Sequence, residues 1–246
     1  MTRQIPPKLM EHIHKIQELR VGARGIKARV VYQHPEWNEA NDARLTVFAK
    51  LINVLNSVHL AMVLIGDSLL DPGWWIRTGG QLPDESDRRI YIDEFAMSAK
   101  LNLVVMAFSA VESTMRLILR AIDPNACSRG TAEFKGVYEC LLKTKLSATP
   151  PDSTDLLDLW RTLRNSIHNN GVYFHKTWQN TAVAYRGKTY HFQIGQPVEF
   201  AGWPLLLDLG PDLLALVEFV VSDPIVVALK GPMTDPFAIT GTSSGP

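Results

Sequence analysis

The stretch that decides the fold is IYIDEFAMSAKLNLVVMAFSAVESTMRLILRAI, residues 90–122. Its apolar residues recur at helical spacing over a wide face, and no proline or glycine interrupts them. Asp123 and Pro124 end the pattern, because the residue before a proline avoids the α-helical conformation. These features predict one long helix over residues 90–122.

Similar periodicity predicts further helices on both sides of this one. We expect helices over residues 7–33, 36–70, 131–146, 153–169 and 211–221, the fourth ending at Asn169 or Asn170. Asp152 or Ser153 is placed to cap the start of that fourth helix, and Gly171 is placed for a left-handed C-cap. The segment from Trp74 to Arg89 contains Gly79, Gly80 and Pro83, and is predicted to be a surface loop.

A β pattern follows these helices. Residues 181–185 and 188–194 alternate and are rich in β-branched and aromatic types, and Arg186-Gly187 between them predicts a hairpin turn. Val198 to Phe200 is a candidate third strand. The sequence therefore predicts a mainly α fold, in which a helical bundle carries a small β-hairpin near residues 181–200 and a final helix. We expect a single domain over 1–232 and a flexible tail over 233–246.

Composition limits the possible functions. Of 246 residues, 46% are hydrophobic and 20% are charged, and the 25 Lys plus Arg balance the 25 Asp plus Glu. With no net field to attract a polyanion, any nucleic-acid site must be local. Cys127 and Cys140 are too few for a thiolate zinc site, and no metal or cofactor is predicted. The first residues lack a signal peptide, and polar residues interrupt the apolar segment 47–70, which predicts a cytoplasmic protein without membrane association.

The helix predicted over 153–169 carries the candidate chemistry. Its core stripe consists of Leu156, Trp160, Leu163 and Ile167, at steps of three and four. Arg161, Arg164 and His168 share a different face, so that one phosphate could contact two guanidinium groups and an imidazole. An imidazole exchanges protons near neutral pH and a guanidinium stabilises charge on phosphorus, which suits RNA cleavage by the 2′-hydroxyl without a metal. Asn165, Asn169 and Asn170 could orient the ribose or simply end the helix.

A structural interpretation of the same residues stays open. Cations near the end of a helix stabilise its negative pole, so Arg164 and His168 could serve the fold alone. Two other histidines, His175 and His191, follow the helix in the chain. They could reach this face only if the hairpin region folds over it.

Two segments in this order, FSAVESTMR at 108–116 and RTLRNSIHNNG at 161–171, resemble those of HEPN domains. That family consists of helical bundles and includes many metal-independent RNA endonucleases, which usually work as dimers. The resemblance implies catalytic roles for Arg164, His168, Asn165 and Glu112, with RNA contacts from Arg161, Asn169 and Asn170. Arg161 has the family's spacing to His168, whereas Arg164 is followed by the expected polar residue. Glu112 would pair with an arginine such as Arg164, or locally with Arg116 at i+4.

Several functions therefore remain open. The first is a HEPN-like endoribonuclease or RNA-binding protein, which by resemblance would act in phage defence or in a toxin–antitoxin system. The second is a non-catalytic module for helical interaction or dimerisation. The third is binding of a nucleotide or another small anion without cleavage. The expected partners are a second copy of the chain, RNA, and an antitoxin or other protein.

Overall fold

The computed structural model describes residues 5–126, 133–169 and 171–235. In that part the protein is mainly helical, with an antiparallel hairpin and a final helical region, which confirms the predicted fold class. The elements are α1 (Pro7–Gln33), α2 (Ala43–Leu64), α3 (Pro72–Gly79), α4 (Glu85–Ile122), α5 (Phe134–Cys140), α6 (Ser153–His168), β1 (Thr181–Tyr185), β2 (Lys188–Phe192), α7 (Trp203–Ser222) and α8 (Pro224–Val227). Two π-helical turns, Ile65–Leu69 and Leu141–Lys145, continue α2 and α5.

The bundle is organised around α2 and α4. Helix α2 packs along both α1 and α4, while α7 packs against α1 and α6 packs against α4. Side chains from these helices form one continuous buried cluster, which includes Phe48, Phe108 and Trp160, each no more than 1% exposed. Full burial of one large apolar side chain stabilises a fold by roughly 1.5–3 kcal/mol. The core therefore fixes α4 and α6 firmly against each other.

Helix α6 follows its sequence pattern closely. Leu156, Trp160, Leu163 and Ile167 are all buried, as the predicted core stripe requires. Gly171 has φ +81° and its N–H donates to the carbonyl of Ser166, which confirms the left-handed C-cap. The predicted side-chain cap at the other end is wrong. Asp152 precedes the helix with a left-handed φ of +54° and makes no capping hydrogen bond.

The predicted loop over 74–89 is wrong. Asp71 accepts a hydrogen bond from the N–H of Gly73 and starts α3 at Pro72, a residue whose fixed φ suits the first helical turn. Gly80 ends α3 in the left-handed conformation. Asp84 then caps α4 by accepting from the N–H of Asp87, so the long helix begins before residue 90.

The starts of two other helices differ from the prediction. Helix α2 begins at Ala43 because Asp42 caps it, not near residue 36. Helix α7 begins at Trp203 and runs through Pro211. The loss of one hydrogen bond at a proline costs about 3 kcal/mol, which burial of the preceding Leu206, Leu207 and Leu209 offsets.

The hairpin is confirmed, although it is shorter than predicted. Val183 pairs with Tyr190, and Arg186 and Gly187 have φ of +48° and +71°, as a tight two-residue turn requires. The predicted third strand over 198–200 is wrong, since the region contributes only an isolated bridge between Val172 and Pro197 in the described part of the chain.

The chain after α8 is held in place as far as the structure describes it. The N–H of Ala43 donates a hydrogen bond to the carbonyl of Met233. The buried Asp235 accepts a hydrogen bond from the Thr46 hydroxyl and forms an ion pair with Lys50. Residues 233–235 are therefore not part of a flexible tail. The remainder of the predicted tail, 236–246, lies outside the described residues.

Two helical stretches, Ala43–Leu69 and Glu85–Ile122, are long and apolar enough to cross a membrane by length and composition alone. The first stretch overlaps the apolar segment 47–70, whose polar residues were predicted to exclude a membrane span. By length and composition they do not exclude it. Core helices of proteins outside membranes meet the same criteria. The cytoplasmic location stays a prediction.

Candidate functional site

A pocket of about 580 Å³ lies where α4, α5, α6 and the segment after α6 meet. We call it the basic pocket. It is lined by Phe108, Glu112, Arg116, Glu133, Phe134, Lys135, Arg161, Arg164, Asn165, Phe174, His175, Lys176 and Thr181. Four of the predicted site residues, Arg161, Arg164, Asn165 and Glu112, thus lie around one cavity.

The lining is strongly positive although the chain as a whole is neutral. It contains five Lys or Arg side chains against two carboxylates, whereas the whole chain has a formal charge of zero. Charges of one sign that line a concave surface raise the local concentration of oppositely charged ligands. The pocket is therefore suited to an anion.

Among the described residues, Arg164 is the one Lys or Arg of this lining that has no ion pair. It is partly buried, its Nη1 donates to Oδ1 of Asn165 at 3.1 Å, and among the described residues it has no ion pair. Its Nε is buried without a hydrogen-bond partner. An anion in the pocket could accept hydrogen bonds from the part of the Arg164 guanidinium that lines it.

Arg161 is held more firmly than Arg164. Its Nη2 donates to Oδ1 of Asp158 at 2.9 Å, and the Tyr138 hydroxyl donates to the same oxygen at 2.6 Å. Burial acts to raise the pKa of Asp158, but the hydrogen bonds from Tyr138 and Arg161 hold that pKa below its ordinary value. Burial and the hydrogen bond to Asp158 raise the pKa of Tyr138. Nε of Arg161 is also buried without a partner among the described residues.

Glu112 pairs within its own helix. Its Oε1 accepts from Nε of Arg116 at 3.0 Å and from Nη2 of Arg116 at 2.7 Å. In the described part of the chain it forms no ion pair with Arg164, so the expected link between the two helices is wrong and the local alternative holds. Arg116 also lies over the ring of Phe134, 5.8 Å from its centroid.

His168 lies apart from the basic pocket. It is the last residue of α6, it is exposed, and it is absent from the pocket lining among the described residues. Asn169 is exposed too, and its Nδ2 donates to the carbonyl of Asn165, which helps to end the helix. Asn170 lies outside the described residues. The predicted imidazole therefore does not line the pocket that contains the predicted arginines Arg161 and Arg164.

A different imidazole, His175, lines the pocket. Its Nδ1 is hydrogen-bonded to the Thr177 hydroxyl at 2.7 Å, and its ring lies over Tyr173. The chain reaches this position because it turns at Gly171 and the N–H of Tyr173 bonds to the carbonyl of Gln196. The alternation of aromatic and basic residues in FHKTW, 174–178, is the sequence signal that could have indicated this segment.

Within 5–126, 133–169 and 171–235, no group of three or more His, Cys, Asp or Glu side chains is arranged to hold a metal ion.

Comparison of the chain with protein-family models, with curated proteins and with solved structures finds no match.

Proposed function

We propose that the basic pocket binds the phosphodiester backbone of RNA, and that the protein is a HEPN-like RNA-binding protein that cleaves RNA without a metal. The observation that carries the proposal is Arg164, which lines the pocket, has no ion pair among the described residues, and lies in a lining with an excess of three positive charges. Arginine is the side chain best suited to a phosphate, because its planar guanidinium donates two parallel hydrogen bonds.

The cleavage step follows from the same groups. The ribose 2′-oxygen attacks phosphorus, the bond from phosphorus to the 5′-oxygen breaks, and a 2′,3′-cyclic phosphate forms. One base must accept the 2′-hydroxyl proton and one acid must protonate the leaving 5′-oxygen. Arg164 and Arg161 stabilise the charge on phosphorus, and His175 lies at the pocket to exchange a proton. The exposed His168 is available to a second copy of the chain, in keeping with the dimer that the HEPN resemblance implies.

Binding is tested with a short, fluorescently labelled single-stranded RNA and fluorescence anisotropy. Arg164→Ala should weaken binding about ten-fold or more, because it removes charge-assisted hydrogen bonds of about 1.5–3 kcal/mol. The matched control is Arg24→Ala, an exposed arginine on α1 outside the pocket, which should bind like the parent. Equal affinity for the two variants would refute the proposal.

Cleavage is tested on the same RNA in the presence of a chelator, with the products separated on a gel. The expected products end in a 2′,3′-cyclic phosphate, and Arg164→Ala and His175→Ala should abolish them without unfolding the protein. His168→Ala should abolish them through the second copy of the chain, and full cleavage by that variant would rule out a contribution from His168. RNA that is bound but never cut would leave the binding proposal standing and refute the nuclease.

A second candidate, the non-catalytic interaction module, is favoured by an exposed apolar surface on α3 and the first half of α4. Ile76, Ile90, Tyr91 and Met97 are each about half exposed. Isolated apolar residues need no explanation, but a group along neighbouring helices is typical of an interface. Sedimentation of the parent and of Ile90→Glu tests this: the module predicts an assembly that the variant disrupts, and a parent that sediments as a monomer alone and with RNA argues against it.

A further inference from the structure

Trp178 has a conformation and an exposure that the fold does not explain. It is 74% exposed, which makes it the most exposed of the six tryptophans, and its φ is +52°. A bulky side chain in the left-handed region is strained and is uncommon outside functional positions. In the described chain Arg186 has a similar φ, but the hairpin turn accounts for it.

The segment that carries Trp178 is fixed beside the basic pocket. The N–H of Trp178 donates to the carbonyl of His175, Thr177 bonds to the His175 ring, and Lys176 pairs with Glu133 in front of α5. These contacts hold the backbone turn while the indole stays in solvent. The strain therefore places an aromatic ring outside the core at a defined position.

Trp178 forms an aromatic pair with a residue of the pocket lining. The ring of Phe174 is 6.1 Å from the Trp178 ring, at an interplanar angle of 76°, and Phe174 is itself 45% exposed. Phe174 lines the pocket together with Arg164. Two exposed aromatic rings thus lie at the pocket that Arg164 lines, and Arg164 has no ion pair among the described residues.

This combination suits an unpaired nucleotide. Proteins bind single strands by stacking bases on exposed aromatic rings while Lys and Arg hold the backbone, and duplex bases are already stacked and cannot use such rings. A small inorganic anion would need the cations alone. The proposal below rests on the proposed function and names the ligand of that site more narrowly.

We propose that Trp178 and Phe174 form a platform on which a base of single-stranded RNA stacks while its phosphate lies in the basic pocket. The platform gives the site a preference for single strands over duplex RNA. It also assigns a binding role to two residues outside α6.

The test measures affinity for three probes by anisotropy: a single-stranded RNA, the same RNA annealed to its complement, and an abasic strand of equal length. The parent should prefer the single strand, and its tryptophan fluorescence should be quenched on binding. Trp178→Ala should bind the single strand at least about five-fold more weakly than the parent, as loss of one stacked base predicts. It should bind the abasic strand with the same affinity as the parent. Trp178→Phe should retain most of the affinity.

Two controls separate folding from binding. Trp178→Gly removes the ring and relieves the left-handed strain, so the variant should be at least as stable as the parent. It should bind the single-stranded RNA as weakly as Trp178→Ala does. Tyr32→Ala removes an aromatic side chain that is 87% exposed on α1, and should change nothing.

The outcomes distinguish the platform from the pocket. If Arg164→Ala loses RNA and Trp178→Ala does not, the platform is wrong and phosphate binding stands. If Trp178→Ala weakens binding of the abasic strand as much as binding of the intact single strand, base stacking does not explain the loss and the platform is wrong. If the parent binds no RNA, the proposed function fails and the platform fails with it.

Discussion

Two arginines of this protein, Arg44 and Arg164, show opposite ways of placing a cation in a fold. Arg44 is 2% exposed, and its Nε and Nη2 donate to the two oxygens of Asp42 at 2.9 and 2.6 Å. Its guanidinium also lies 3.9 Å from the ring centroid of Trp37 and reaches carbonyls of the segment after α7, including that of Gly231 at 3.1 Å. Arg164 is partly buried and donates only to its neighbour Asn165 in the described chain.

The difference separates structural cations from those available to a ligand. Arg44 has its donors matched within the chain, so it ties α2 to the C-terminal segment and has no donor left for a ligand. Arg164 has donors without acceptors in a positive pocket, so an anionic ligand could accept hydrogen bonds from its guanidinium. Arg161 and Arg116 lie between these extremes, since each pairs with a carboxylate. The four residues form a series that stability measurements can test.

Arg44→Met should have the largest effect on stability. It leaves the carboxylate of Asp42 buried without its cation, and breaking a buried pair costs about 3–5 kcal/mol. Urea unfolding measures this loss. The double variant Asp42→Asn/Arg44→Met should recover part of it, because both charges are gone, and a single variant within 1 kcal/mol of the parent would contradict the role given to Arg44.

Asp158→Asn should have an intermediate effect, about 1–3 kcal/mol, since it removes the charge that Tyr138 and Arg161 share. The pKa of Asp158 is lowered in the fold, so its contribution is present above the unfolded pKa of about 4 and is lost as pH falls through the folded pKa. The difference in unfolding free energy between parent and variant should therefore shrink in acid. A difference that is constant between neutral pH and strong acid would contradict this assignment.

Glu112→Gln should have the smallest effect on stability. Its pair with Arg116 is a partly exposed i, i+4 pair, which contributes about 0.5 kcal/mol or less. Removal of a carboxylate from the basic pocket should make RNA binding slightly tighter. Abolished binding, with stability unchanged, would instead restore Glu112 to the positioning role that the HEPN resemblance implies.

The sequence predicted the elements that local periodicity determines. The long helix α4, the buried stripe of α6 and the turn at Arg186-Gly187 all depend on residues close together in the chain. The prediction failed at 74–89 because Gly79, Gly80 and Pro83 were interpreted as signals of one continuous loop. In the structure Gly80 ends α3 and Pro83 lies in the short connection before Asp84 caps α4, so these residues mark helix ends.

The candidate site was predictable only in part. Arg161, Arg164 and Asn165 share a face of α6, which helical spacing indicates directly. Lys135, His175 and Lys176 come from other segments, and only tertiary packing brings them to the same pocket. The position of His168 beyond the pocket lining depends on where α6 ends relative to its neighbours, which spacing along one helix does not determine.

The most direct test is urea unfolding of the parent and Arg164→Ala, each with and without single-stranded RNA. Without RNA the two midpoints should agree, because Arg164 has no structural partner beyond Asn165 in the described chain. With RNA the midpoint of the parent should rise, since a ligand that binds only the folded state stabilises it, and that of the variant should not. A variant that is already destabilised without RNA, and that RNA stabilises as much as the parent, would contradict the assignment of Arg164 to a ligand.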